Sequence, residues 1–221
     1  MARSKNKSAA EETYLSLKKD IIYRKIPGGT PLVEDELAEL YSVSRTPIRE
    51  AMKRLENDGL VTCYPYRGSF VKEFTAKDVE EIFTIRKALE GSCCRIAADV
   101  ITQENIRILE ENHQKSKEAL KNDDIVLAEQ LGDNLHIAIR TISNNSHIQS
   151  IFERLSGQQE YFNAITSKME GRMQRSLEEH EAILNALKVH DGNLAEQKMR
   201  EHMDSTMQEM LTSVRNAMVQ L

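Results

Sequence analysis

Residues 44–60, Ser-Arg-Thr-Pro-Ile-Arg-Glu-Ala-Met-Lys-Arg-Leu-Glu-Asn-Asp-Gly-Leu, restrict the fold of this chain more than any other stretch. Ile48, Ala51, Met52 and Leu55 recur at helical spacing, so one face of a helix here must be buried. Ser44 or Thr46 can cap its start, and Pro47 falls in the first turn, where a missing N–H costs nothing. Asn57-Asp58-Gly59 ends it, with Gly59 free to take a left-handed conformation. Arg45, Arg49 and Lys53 stand four apart on another face. An arginine in the first turn of such a helix can donate two parallel hydrogen bonds to a guanine edge or clamp a phosphate.

The flanking sequence predicts a setting for that helix. Residues 1–9 read as a basic arm. A helix over about 10–25 carries Tyr14, Leu17, Ile21 and Ile22 as its apolar stripe, and Ile26-Pro27-Gly28-Gly29-Thr30-Pro31 stops it. A short helix over about 34–41 follows, with Leu37, Ala38, Leu40 and Tyr41 apolar, and Ser42-Val43-Ser44 turns the chain into the basic helix. Two short helices joined in this way form a helix-turn-helix. The β-prone runs Leu60–Tyr64 and Ser69–Glu73, separated by Pro65-Tyr66-Arg67-Gly68, predict a hairpin with Arg67 at its tip. Together these make a winged helix-turn-helix over 1–74.

Charge is distributed accordingly. Residues 1–74 hold 13 Lys and Arg against 11 Asp and Glu, and the remaining 147 hold 17 against 24. The basic residues of the first part cluster at Arg45, Arg49, Lys53, Arg54, Arg67 and Lys72, while an acidic second part would resist lying on phosphates. Cys63, Cys93 and Cys94 have no metal-type spacing, and an odd number with two adjacent points to a reducing compartment. The start is basic and polar with no apolar run behind it, unlike a signal peptide, and no stretch approaches the ~20 apolar residues of a membrane helix. A soluble, cytoplasmic protein with no membrane partner is the expectation.

From Thr75 the pattern changes to long helices, expected near 76–100, 103–121, 124–143, 146–168, 170–189 and 191–219. An antiparallel all-helical bundle over 75–221 follows, giving a mainly α protein. Three of the six histidines sit on apolar faces of three different helices. His136 lies beside Leu135 and Ile139, His180 precedes Ile183 and Leu184, and His202 lies between Met199 and Met203. One such histidine is usually a satisfied core residue; three can converge as ligands for zinc or nickel. His113, His147 and His190 fall near helix ends or polar neighbours and read as surface.

Taken together, these residues resemble the GntR family of bacterial regulators, in the FadR-type branch whose C-terminal domain is called FCD. The resemblance rests on Leu37-Ala38, the run Val43 to Ala51, Arg54-Leu55, Asp58-Gly59-Leu60 and Arg67-Gly68. In the second part it rests on Arg86 with Leu89-Glu90, His136, Ser143 to Asn145, His180 to Leu184 and His202; six helices there resemble the VanR-like members. It implies a homodimer on a pseudo-palindromic operator in double-stranded DNA, most often as a repressor. By that resemblance Arg45, Thr46 and Arg49 contact bases or phosphates, Ser44 and Arg54 support backbone contacts, and Arg67 with Gly68 enters the minor groove. Some relatives carry a DNA-contacting arginine where this chain has Asp35, so that contact is not carried over.

The resemblance also implies a divalent metal, zinc first with nickel or manganese as alternatives, held by three histidines and an aspartate. That aspartate normally stands four residues before the first histidine, which here is Gly132; Asp133 is one residue later and can still share a helix face with His136. A small carboxylate effector would bind the metal and pair with Arg86, although Arg86 can equally pair with Glu90, its i+4 neighbour. Three other readings of the histidines are a metal-responsive regulator, a purely structural metal and a metal-dependent hydrolase. The last needs a general base, and Glu179 and Glu181 beside His180 point in different directions around a helix. A regulator rather than an enzyme is the expectation.

Overall fold

The computed structural model describes residues 8–219. The arm read at residues 1–9 therefore lies outside the described residues, except for Ser8, which caps the first helix, and Ala9, which begins it. The chain divides into two compact units, Met1–Phe74 with Ile151–Ala164, and Thr75–Ser150 with Ile165–Leu221.

In the first unit, α1 (Ala9–Ile22), α2 (Glu34–Leu40) and α3 (Arg45–Asn57) accompany a small sheet of β1 (Pro31–Leu32), β2 (Val61–Tyr64) and β3 (Gly68–Val71). Strand β3 is central, pairing antiparallel with β2 in the register Val61 to Val71 and Tyr64 to Gly68, and with β1 through Pro31 to Phe70. The α3 pattern is realised as predicted: Ile48, Ala51, Met52 and Leu55 are buried against Leu17 and Ile21 of the core, and Gly59 is left-handed at φ +70°. Strand β1 begins at Pro31, the last residue of the stretch read only as a helix stop. It is two residues long and begins with proline, so it carries no alternation to read. Leu40, expected on the apolar face of α2, is instead 67% exposed. Tyr41 takes the inward position, and its hydroxyl donates to Asp20 at 2.8 Å.

Residues 151–164 complete this core. Phe74 packs on Tyr161 and Phe162 at ring distances of 4.9 and 5.0 Å, and Lys18 pairs with Glu160 at 2.6 Å. Gly157 is needed for the close approach of this segment. A Cβ there would stand 2.8 Å from that of Asp58 and 3.0 Å from the Asp58 carbonyl oxygen.

The later helices are α4 (Ala76–Val100), α5 (Gln103–Lys121), α6 (Ile125–Ser143), α7 (Ser146–Thr166), α8 (Arg172–Lys188) and α9 (Gly192–Val219). They match the six predicted helices to within two residues at every end. Capping boxes start α4 at Thr75 with Asp78 and α5 at Thr102 with Asn105, and Asn144 ends α6 in the left-handed conformation. In the second unit α4 packs along α9 and against α6, α5 lies against α6 and α8, and α8 against α9. Phe83, Ile139, Ile183, Leu187, Met199 and Met203 fill the centre.

Candidate functional site

Two sets of residues carry chemistry, one in each unit. The first is the exposed start of α3. Ser44 occupies the N-cap position without a side-chain hydrogen bond to the helix, and Arg45, Thr46 and Arg49 are exposed. Both arginines are paired with the acidic first turn of α2. Arg49 donates Nε to Glu34 Oε1 at 3.0 Å and Nη2 to Oε2 at 2.7 Å, while Arg45 pairs with Asp35. The guanidinium hydrogen bond holds the Glu34 carboxyl below its usual range. Arg54 turns inward, pairing with Glu11 and lying over the Tyr14 ring at 3.7 Å, so it braces α3 against α1.

The wing presents Arg67 and Gly68 in the open. Arg67 is exposed with its guanidinium 5.7 Å from the Tyr64 ring, and Gly68 has φ +92° with nothing near the position of an added Cβ. Sequence reasoning passed over the residue between Pro65 and Arg67. Tyr66 is fully exposed and left-handed at φ +63°, an uncommon backbone for an aromatic residue. The signal was an aromatic among basic and turn residues in a strand connection.

The second set lies in the helical unit. His136 of α6, His180 of α8 and His202 of α9 are 4%, 3% and 4% exposed, and each offers a ligand nitrogen within 4.8 Å of the other two. His136 Nε2 and His180 Nε2 are 3.2 Å apart. Nδ1 of His136 faces the Glu90 carboxylate, and Nδ1 of His202 lies 2.7 Å from Glu179 Oε2. A carboxylate on the outer nitrogen fixes the ring and leaves Nε2 to act as ligand. Burial pushes His202 down to about 4 and His180 well below the ordinary histidine value, so both rings are neutral at neutral pH. Burial alone would raise Glu179, but the His202 hydrogen bond and charge outweigh it and hold the carboxyl at about 2. Three converging imidazoles, two of them with a carboxylate on the outer nitrogen, fit a divalent metal.

The structure gives the remaining candidates different places. Gly132 faces His180, since a Cβ there would stand 3.4 Å from the His180 Cε1. Asp133, one residue or about 100° further round α6, lies outside the three-histidine group, half-buried, with its charge acting on Arg140 and Glu129. Arg86 is 2% exposed and donates Nε and Nη2 to Glu90 Oε1 at 3.2 and 3.1 Å, while its buried Nη1 has no hydrogen-bond partner. Burial alone would raise Glu90; His136, Arg86 and Arg140 together hold it well below the carboxylate range. His113, expected on the surface, is 9% exposed on α5. Its neighbours in sequence are polar, but Asn112 and Ser116 bond backbone carbonyls of α6 and turn that face inward. The roles of Glu90 and Glu179 on the imidazoles were also not read from sequence, because each pair is supplied by two different helices.

Residues 9–71 match the profile of the bacterial regulatory proteins of the gntR family, and residues 81–205 match the FCD domain. The chain belongs to the GntR family. This GntR regulator is 30% identical over 205 residues to the HTH-type transcriptional repressor RspR of Escherichia coli (strain K12), covering 93% of this chain and 88% of that protein. It is 28% identical over 192 residues to the HTH-type transcriptional regulator LutR of Bacillus subtilis (strain 168), covering 76% and 84%. Its fold is similar to that of E. coli McbR/YncC, with a TM-score of 0.75 at 22% identity over 94% of this chain and 99% of that one. Family and relatives make this GntR protein a DNA-binding transcription regulator and not an enzyme. No described helix is long and apolar enough to cross a membrane.

Proposed function

We propose that this regulator is a cytoplasmic repressor that binds a pseudo-palindromic operator as a homodimer and is released by a small carboxylate. The winged helix over 1–74 would read DNA through Ser44, Arg45, Thr46, Arg49, Arg67 and Gly68. Arg54 would support backbone contacts by holding α3 in place. The helical domain over 75–221 would hold the effector. The name of RspR as a repressor supports the sign of regulation.

One observation carries the effector reading: the unpartnered Nη1 of buried Arg86, linked through Glu90 to His136 of the three-imidazole cluster. A buried guanidinium donor without an acceptor is costly, and a ligand carboxylate would satisfy it. His136, His180 and His202 would hold the metal; imidazole sets suit zinc or nickel, whereas manganese favours oxygen donors. When bound, such an ion supplies an electrophilic position for a carboxylate oxygen. To act as a switch, the effector must bind the released conformation more tightly than the DNA-bound one.

The test begins with elemental analysis of tag-free protein and of His136→Ala. Near-stoichiometric metal that disappears in the variant is expected, and metal absent from both refutes the metal. A duplex selected from a random library is then challenged with citrate, malate, lactate and glucuronate. Release from wild type but not from Arg86→Met, with metal content unchanged in that variant, is the expected outcome. Release of both proteins alike would remove Arg86 from the site. Operator binding that follows added zinc alone would make the metal itself the signal.

A further inference from the structure

The acidic first turn of α2 faces the basic first turns of α3. Glu34, Asp35 and Glu36 open α2, and two of them are paired with the arginines proposed above to meet DNA. These pairs are not there for stability. The Arg45 and Arg49 side chains are 65% and 70% exposed, and ion pairs this open are largely screened by water. Their effect falls on what the guanidinium groups can do next.

Two consequences follow from the geometry. Glu34 takes the Nε–Nη2 edge of Arg49, so the guanidinium is held with its other edge, Nη1 and the second Nη2 hydrogen, available. That edge matches the paired O6 and N7 acceptors of a guanine in the major groove. A carboxylate beside each guanidinium also offsets its attraction for a phosphate, which carries the same sign of charge as the carboxylate already there. A phosphate approaching the free edge meets the repulsion of the neighbouring carboxylate, whereas a neutral guanine edge does not.

We propose that Glu34 and Asp35 are specificity-determining residues, which hold Arg49 and Arg45 for guanine edges and suppress their binding to phosphates of arbitrary sequence. This rests on the placement of Arg45 and Arg49 against DNA, and the two ideas fail differently. If Arg49→Ala leaves binding to a selected duplex unchanged, the placement is wrong; the carboxylates are tested by their own variants.

The experiment uses the full-length protein and its Glu34→Gln and Asp35→Asn variants, singly and together. Each is titrated with a 30-base-pair duplex of random sequence and with a duplex selected by the wild type, across a range of salt concentrations. In the double variant, random-duplex affinity should rise about tenfold near 0.1 M salt, with a salt dependence steeper by roughly one to two released counterions per binding unit. Affinity for the selected duplex should change by less than about threefold, so the ratio between them collapses. Because the pairs are exposed, the melting temperature of the variants should stay close to that of wild type, which separates the effect from misfolding. Equal gains on both duplexes, or no gain on the random one, would overturn the proposal. A loss on both would reduce the carboxylates to structural supports and overturn it equally.

Discussion

The buried imidazoles make the metal-free protein sensitive to acid in a defined window. His202 titrates at about 4 in the fold, against about 6.5 in the unfolded chain. Above pH 6.5 both states hold it neutral and stability does not depend on it. As pH falls from 6.5 towards 4 the unfolded chain takes up the proton and the fold does not, so stability is lost across that interval. At pH 5 the difference amounts to about 2 kcal/mol for His202 alone. His180 shifts in the same direction and adds to it. Glu179, held at about 2, loses its contribution only as pH drops below about 4.5, so it is nearly silent in this range. For a chain of this size 2 kcal/mol is roughly 4–8 °C in Tm. Thermal melts in EDTA at pH 7.5, 6.5, 5.5 and 5.0, run on wild type and His202→Gln, would measure it. His202→Gln should start less stable, because it loses a buried ring, yet fall less steeply by about 2 kcal/mol between pH 7.5 and 5. Parallel curves for the two proteins, or a wild type that gains stability on acidification, would show that His202 is not held neutral and the reasoning is wrong.

Two further substitutions probe features of the fold. Gly132→Asp places a carboxylate on the α6 position that faces His180, where a Cβ meets the ring at an ordinary contact distance; zinc affinity measured by chelator competition should tighten about 10- to 100-fold, of the order a well-placed ligand partner contributes. Gly157→Leu drives a side chain into the Asp58 backbone, and denaturant unfolding should show a loss of about 1–3 kcal/mol or more, with no loss if the neighbouring segment yields freely.

Much of this architecture is legible because helices announce themselves by period and punctuation. The six later helices follow from Asn, Gly and Thr breaks between apolar stripes, and α3 from one four-residue stripe and its glycine. Convergence of His136, His180 and His202 is likewise readable, since each sits on the buried stripe of its own helix. What is not readable depends on pairings between separate elements. Glu90 reaches His136 across α4 and α6, and Glu179 reaches His202 across α8 and α9, with nothing in local spacing to announce either. His113 shows the converse, a residue with polar neighbours turned inward because those neighbours bond to another helix. Strand β1 is too short to carry a pattern, and its place is set by β3.

The segment 151–164 also sets a clock on biosynthesis. Phe74 leaves the ribosome ninety residues before Ala164, and until then the aromatic pair that covers it, Tyr161 and Phe162, does not exist. At bacterial elongation rates that interval is roughly 5–20 s. During it the nascent first unit carries an uncovered apolar edge, so its core closes late in translation rather than when its reading helix emerges.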